Sequence, residues 1–314
     1  MHKTVAIVGS GPAGMACANY LNSSGFKVTV FDELKEFGGM LAYGIPEFRI
    51  PLQNVKEKVA EAKKQGINFG RKKITSVKEL LSKPYSFDFV VLAIGAGNNS
   101  KAGFIGEENE NVLDSLDFLS KAKLEGINLV GKKHKVAVIG GGNSAIDSAR
   151  TALRQGAKVT IIYRRTEEEM PALKSEVNEA KKDGVKFELL RAPVEFKVGK
   201  AKKKGKLICS EMILGEADER GRRKPIDTGK KEELLFDKVI IAVGQEQDLT
   251  WLENEGIKTN GKTIVVDPNY KTTLENVYSC GDAVTGARTI GEAVKGGLMT
   301  AKAILAQSQI VKTE

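Results

Sequence analysis

The chain has 314 residues, a formal charge of +9 and three cysteines, and its length suggests about two domains at roughly 150 residues each. A hydrophobic fraction of 41% is enough for sizeable cores, and 28% charged residues are enough for a soluble surface. Apolar runs such as residues 89–93 fall far short of the ~20 residues that span a bilayer, and residues 1–4 lead straight into a strand-like run, so neither a membrane span nor a signal peptide is expected.

Short β-branched runs alternate with helical patterns, the signature of an α/β fold. Residues 5–8 read as a buried strand, residues 12–21 as a helix and residues 28–31 as a second strand. Between the first two lies G-x-G-x-x-G, at Gly9, Gly11 and Gly14. Gly9 suits a tight strand-to-helix turn, Gly11 lets the backbone approach a pyrophosphate, and Gly14 lets helix and strand pack closely. The helix N-terminus then offers free N–H groups and a partial positive charge to phosphate. Pro12 suits the first helical turn, where an N–H has no helical acceptor. The second strand ends in Asp32, about 20 residues past Gly9, the place of a ribose-binding carboxylate. Glu33 is adjacent and faces the other way on a strand, so Asp32 is the expected ligand.

Residues 87–94 form another buried strand, and then the arrangement restarts. Residues 135–139 read as a strand, 145–154 as a helix and 159–163 as a strand, with Gly140, Gly142 and Ala145 in the three motif places. This copy ends in Arg164 and Arg165 instead of an acid. A guanidinium there can grip a 2′-phosphate through two parallel hydrogen bonds, where a carboxylate would repel it. The second copy is therefore expected to take NADP, and the first a different dinucleotide, most simply FAD. Two copies imply two nucleotides, or one functional copy and one relic.

Residues 186–190, 195–198, 207–214 and 234–242 read as successive strands of a mixed or antiparallel segment. Charged turns at 200–206 and 219–224 lie between them, and residues 195–231 hold twice as many basic as acidic side chains. They read as solvated hairpin tips, with a docking surface for an acidic partner as the alternative. Nucleic acid is not expected, because no aromatics interleave the basic residues. Further on, residues 277–283 read as a strand running into Gly281-Asp282, and a helix follows over 289–304. An aspartate leaving a strand beside a helix N-terminus suits the polar chain of a long ligand, or else a turn and N-cap.

Cys17, Cys209 and Cys280 form no Cys-x-x-Cys pair, and the only histidines are His2 and His134. A four-cysteine cluster, an adjacent redox dithiol, a histidine-based triad and a metal site are not expected. Cys17 and Cys209 read as small buried hydrophobes. Three unpaired thiols point to a reducing, cytoplasmic setting.

These motifs carry a family resemblance. Gly9-Ser10-Gly11-Pro12-Ala13-Gly14 with Phe31-Asp32, and the stretch 38–49 (GGMLAYGIPEFR), resemble the FAD half of the glutamate synthase small subunit family. Residues 138–147 (VIGGGNSAID), Tyr163-Arg164-Arg165, Met170-Pro171-Ala172 and residues 280–289 (CGDAVTGART) are similar to the rest of that family. The large subunit of NADH-dependent ferredoxin–NADP oxidoreductase belongs to it as well. The resemblance implies two Rossmann-like dinucleotide-binding domains, with an NADPH domain inserted in an FAD domain as in the pyridine nucleotide-disulfide oxidoreductase fold. The FAD domain would take residues 1–107 and 242–314, and the NADPH domain residues 108–241. By position, Gly9, Gly11, Pro12, Ala13, Gly14, Asp32, Glu33, Gly38, Gly39, Arg49, Gly95, Gly281, Asp282, Thr289 and Ile290 would hold FAD. Gly140, Gly141, Gly142, Asn143, Ser144, Arg164 and Arg165 would hold NADPH.

Hydride transfer from nicotinamide to flavin N5 needs no side-chain acid or base, so no catalytic residue is expected. The family implies an NADP(H)-dependent FAD oxidoreductase that exchanges electrons with an iron–sulfur protein: a ferredoxin, or a larger synthase-type subunit. A stand-alone NADPH reductase of a quinone or oxygen is one alternative, and a non-catalytic FAD/NADPH sensor or scaffold is another. Relatives commonly have glutamate in place of Asp32. Many carry an N-terminal iron–sulfur domain, whereas this sequence starts at the FAD strand, so clusters are expected on another protein. The fold also resembles thioredoxin reductase, but that enzyme's Cys-x-x-Cys is missing.

Overall fold

The structure, a computed structural model, describes residues 2–198, 205–217 and 221–310. Much of the two charged turns expected at 200–206 and 219–224 therefore lies outside the described residues. In chain order the main elements are β1 (Thr4–Val8), α1 (Pro12–Ser23), β2 (Lys27–Asp32), α2 (Leu52–Lys64), β3 (Asn68–Arg71) and β4 (Phe89–Leu92). Next come β5 (Val112–Asp114), α3 (Ser115–Ser120), β6 (Lys135–Ile139), α4 (Asn143–Arg154), β7 (Lys158–Tyr163), α5 (Lys174–Asp183) and β8 (Lys186–Leu189). The last are β9 (Arg191–Lys197), β10 (Gly205–Ala217), β11 (Arg223–Phe236), β12 (Lys238–Ile241), β13 (Val277–Ser279) and α6 (Ile290–Ile310).

Two compact units form, and the second interrupts the first in sequence. Met1–Tyr43, Glu47–Asn98 and Gln245–Glu314 make the first; Gly44–Pro46 and Asn99–Gly244 make the second. The sequence expectation puts the first crossing near residue 107. Residues 99–107 instead go with the second unit, where Ile105 donates to the Val194 carbonyl (3.0 Å) and accepts from the Phe196 amide (2.8 Å).

Within the first unit, all strands of the main sheet run parallel in the order β13-β4-β1-β2-β3. Side chains alternate across the sheet, so β1 feeds two cores. Val5 and Ile7 pack with Cys17, Ala18 and Leu21 of α1 and with Ala301 and Ile304 of α6. Ala6 and Val8 pack on the other face with Ile74, Val77, Leu80 and Leu252. Burial on both faces is why β1 reads as an unbroken apolar run. Each fully buried aliphatic side chain here contributes ~1.5–3 kcal/mol of apolar burial.

The second unit repeats the plan. Its parallel sheet has the order β5-β12-β6-β7-β8, with β6 at the centre as β1 is in the first sheet, although here the outer strand β5 precedes the central one in the chain. Helices α3, α4 and α5 cover one face through Phe118, Ile146, Ala149, Val177 and Ala180. The antiparallel sheet β9-β10-β11 covers the other, with Phe196, Leu207, Cys209 and Phe236 against Ala137, Ile139 and Ile162. Two expectations are corrected here. Residues 186–190 do not join the antiparallel segment; β8 is the parallel edge of the nucleotide sheet. Residues 234–242 are not one strand, because Asp237 breaks the run: its amide donates to the Lys135 carbonyl (2.8 Å) and its carboxylate accepts from the Lys135 amide (2.7 Å). The chain thereby passes from the antiparallel sheet (β11) into the parallel one (β12).

Candidate functional site

In each unit the glycine turn sits at the C-terminal end of the central strand, where strand order reverses. Ligands of open α/β sheets bind at such switch points. Gly9 has φ +107° and its amide donates to the Phe31 carbonyl (2.8 Å); Gly140 has φ +141° and donates to the Ile162 carbonyl (3.1 Å). A side chain at either would also strike a neighbouring carbonyl, that of Ala93 or Ala242. The third motif place differs as the sequence does. A Cβ on Gly14 would overlap the Gly9 carbonyl, whereas Ala145 fits its real Cβ beside Gly140.

The second glycines behave otherwise. Gly11 and Gly142 have ordinary extended backbone, with φ −66° and −90°. A Cβ on Gly11 would meet only Gly39 Cα, at 4.0 Å, and one on Gly142 only Pro171 Cγ, at 3.9 Å. Neither conformation nor packing asks for glycine at these two places. Each precedes a helix whose N-terminus has no side-chain cap, so the first amides of α1 and α4 are open to a ligand. A pyrophosphate supplies what both helix ends lack.

Several other expected residues are held by the protein itself. Asp32 is buried and accepts from Ser10, through the amide (2.8 Å) and the hydroxyl (2.5 Å), and from the Leu34 amide (3.0 Å). Glu33 points away and pairs with Lys73 at 3.2 Å. A Cβ on Gly39 would lie 2.7 Å from Gly11 Cα, and one on Gly38 would overlap Val55. Arg49 is half-buried in the turn before α2. Gly95, half-buried beyond β4, has open space where a side chain would go, and its carbonyl accepts from Gln247 Nε2 (2.9 Å).

Gly281 precedes a helical turn, Asp282–Thr285. Among the described residues, Asp282 Oδ1 is a buried acceptor without a hydrogen-bond donor. Burial pushes the Asp282 carboxyl above its ordinary value and Glu292 adds to this, while the Arg288 backbone and charge oppose it. An orphaned carboxylate oxygen fits a ligand that brings a hydroxyl. Because the folded state holds this proton more tightly than the unfolded one, stability is lost as pH rises through the raised value. Asp282→Asn should therefore make the FAD-free protein more stable at neutral pH. The gain should shrink as pH falls toward the ordinary aspartate value of 3.8, which thermal melts across that range would show.

Thr289 is the cap of α6. Its hydroxyl donates to Glu292 Oε2 (2.8 Å) and accepts from the Glu292 amide (3.2 Å), and the same carboxylate accepts from the Thr289 amide (3.2 Å). This reciprocal capping box occupies Thr289 and leaves the Ile290 and Gly291 amides as the first open donors of α6.

In the second unit, Gly141 is required by Tyr163, whose ring would lie 2.5 Å from a Cβ there. Tyr163 donates its hydroxyl to the Glu169 carbonyl (2.8 Å), and the Ala172 amide donates to the Gly141 carbonyl (3.1 Å). Met170-Pro171-Ala172 is thus folded over the glycine turn. Asn143 Oδ1 accepts from the Leu173 amide (3.0 Å), and Ser144 is half-buried in the first turn of α4.

The two arginines part company. Arg164 is exposed, whereas Arg165 is 8% exposed and donates Nε to the Arg223 carbonyl (2.7 Å). With Glu216, Ala217, Lys224 and Ile226, Arg165 lines a cavity of about 460 Å³ against the antiparallel sheet. Arg223 in turn donates Nε to Glu169 (2.5 Å), so β11 is tied to the turn after β7. Sequence reasoning misses Ser10, Tyr163, Glu169 and Arg223 as parts of the site. The only available signal was a hydroxyl inside one glycine turn.

All three thiols are buried. Burial pushes Cys17 up, and Cys209 and Cys280 up to about 12, so none supplies a thiolate near neutral pH. The described residues hold no group of His, Cys, Asp or Glu able to bind a metal, and no helix among them is long and apolar enough to cross a membrane.

The family model described as pyridine nucleotide-disulphide oxidoreductase matches residues 3–307. The NADP(+)-dependent formate dehydrogenase subunit beta of Moorella thermoacetica is 39% identical over 96% of this chain, which spans 43% of that subunit. The glutamate synthase [NADPH] small chain of Halomonas elongata is 35% identical over 96% of this chain and 67% of its own length. The FprA protein of Mycobacterium tuberculosis, solved in complex with NADPH, superposes with a TM-score of 0.81 at 19% identity, over 100% of this chain and 86% of its own. The chain belongs to the pyridine nucleotide-disulphide oxidoreductase family and is a relative, over almost its whole length, of the glutamate synthase small chains.

Proposed function

We propose that this chain is an NADPH-dependent FAD oxidoreductase that passes electrons between NADPH and an iron–sulfur protein or partner subunit. The observation that carries this is the contrast within the glycine turns. Their first glycines are demanded by the protein's own backbone, while Gly11 and Gly142 only keep space open before an uncapped helix. Two such places, one beside a carboxylate and one beside an exposed arginine, suit two different dinucleotides.

When bound, FAD supplies the conversion between a hydride's electron pair and the single electrons that iron–sulfur clusters carry. The chain's own work is placement. The α1 N-terminus would hold the FAD pyrophosphate and Asp282 would accept from a hydroxyl of its linking chain. The positive end of α6, at Ile290 and Gly291, would favour negative charge on a bound group. The α4 N-terminus would hold the NADPH pyrophosphate, and Arg164 its 2′-phosphate. Without an accessible thiol pair, electrons would leave toward a partner and not through a dithiol. The words "subunit" and "small chain" in the relatives' names support a partner protein.

The test is an anaerobic titration of the FAD-loaded protein, with NADPH and separately with NADH, following the flavin absorption band. Rapid bleaching by NADPH and much slower bleaching by NADH is the expected result. A protein that holds FAD and is bleached by neither would sink the reductase reading. A ferredoxin tried against a quinone then separates the acceptors.

A further inference from the structure

We infer that Ser10 and Asp32 form a latch that positions the 38–39 segment against the flavin-binding glycine turn, so that Asp32 is first a positioning residue and only second a ribose ligand. This deepens the proposed function and rests on it for the identity of the ligand.

Three segments meet at one hydroxyl. Ser10 is fully buried inside the glycine turn. Its hydroxyl donates to Asp32 Oδ2 (2.5 Å) at the end of β2 and accepts from the Gly38 amide (2.9 Å). A serine hydroxyl has a single proton to give. With that proton committed to the carboxylate, a lone pair is left facing the Gly38 N–H, so Asp32 fixes the orientation in which the hydroxyl accepts from Gly38. Bonds to an ionised acceptor are about twice as strong as neutral ones, and linked bonds polarise one another.

The carboxylate is nearly full. An ionised carboxylate offers about four lone-pair positions. On Asp32 the Ser10 amide and hydroxyl take two on Oδ2, and the Leu34 amide takes one on Oδ1. One position on Oδ1 remains, enough for one ribose hydroxyl and not for a pair. The 38–39 segment itself lies between Val55, beside Gly38, and the Gly11 backbone, beside Gly39. Gly11 is the residue that leaves room for the pyrophosphate. A loose 38–39 segment would therefore move into, or away from, the wall of that space.

The experiment uses Ser10→Ala, Asp32→Asn and the double variant, with two readouts. The first is hydrogen exchange at the Gly38 amide in the FAD-free protein. It should be protected in the parent and lose protection in both single variants, Asp32→Asn included, although Asp32 does not touch Gly38. The second is FAD affinity from flavin fluorescence. Loss of a bond to a charged group predicts about tenfold weaker binding or more for Ser10→Ala. The double variant should be little worse than either single one, because the pair acts as a unit.

Unchanged Gly38 exchange in Asp32→Asn would overturn the latch. So would Ser10→Ala binding FAD as well as the parent or better, since that is the outcome if Asp32 serves the ribose alone. Should Ser10→Ala fail to fold, the Gly38 exchange of Asp32→Asn decides by itself. A parent protein that takes up no FAD but shows the expected exchange pattern would leave the latch standing and refute the cofactor assignment instead.

Discussion

Replacing Arg164 with leucine is expected to weaken NADPH binding on the order of tenfold to a hundredfold while leaving NADH binding nearly unchanged. Arg164 is exposed, and it stands where the second nucleotide-binding strand ends. In its proposed role it makes a charge-assisted, two-pronged bond to a phosphate that NADH lacks. Replacing Arg165 should do something else. Its Nε bond to the half-buried Arg223 carbonyl ties the turn after β7 to β11, so Arg165→Leu removes a bond made by a buried charged donor. That costs about 1–3 kcal/mol of stability. Binding titrations with both nucleotides, read beside thermal melts, separate the two arginines: Arg164→Leu should move the NADPH titration alone, and Arg165→Leu mainly the melt. Equal loss of NADPH and NADH in Arg164→Leu would remove it from the 2′-phosphate site.

Adjacent arginines look alike in a sequence, which is why the sequence reading gives both to NADPH. Their difference is decided by Arg223, 58 residues further on. The glycine turns were legible because their demands are local: φ of +107° at Gly9 and +141° at Gly140 lies well beyond the +51° to +63° that Ser86, Leu190, Asn276 and Tyr270 adopt, and leaves room for glycine alone. The parallel sheets were legible for a similar reason, since strands buried on both faces, like Val5–Val8, must be apolar throughout. What was hidden depends on distant partners. Ser10 shows in the sequence only as a hydroxyl inside the glycine motif, and its importance comes from Asp32, 22 residues away, and Gly38, 28 away. Parts of β9 and β10 could be expected as strands, but of β11 only residues 234–236 fall in an expected strand and its start falls in an expected charged turn. Nothing local says that Phe196, Leu207 and Phe236 must cover Ala137 and Ile139. Thr289 is given to FAD by its position in the family resemblance, and a threonine before a helix also suits a cap. Glu292, three residues on, is the signal that it caps the helix instead.

Gly297 lies well inside α6, where helix propensity alone makes alanine better than glycine by ~1 kcal/mol. The packing argues the other way. A Cβ on Gly297 would overlap the Ala13 carbonyl and lie 3.1 Å from Ala13 Cα, all backbone atoms in the first turn of α1 that cannot swing aside. A Cβ on Gly281 would likewise lie 2.6 Å from the Ala13 Cβ, so α6, the Gly281 turn and the start of α1 close around one small residue. Overpacking of this kind typically costs about 1–3 kcal/mol and can exceed that against backbone, which is larger than the propensity gain. Gly297→Ala should therefore destabilise the FAD-free protein by about 1–2 kcal/mol net, and it should weaken FAD binding as well, because the displaced element is the helix end proposed to face the phosphates. Gly291→Ala supplies the contrast in the same helix, since a Cβ there meets nothing within 4 Å; it should leave stability unchanged or raise it slightly. Thermal melts of the two variants in parallel decide the matter. If Gly297→Ala melts no lower than Gly291→Ala, the contact between α1 and α6 is not what fixes the glycine turn. The open space at Gly11 would then have to be held by the latch through Ser10 alone.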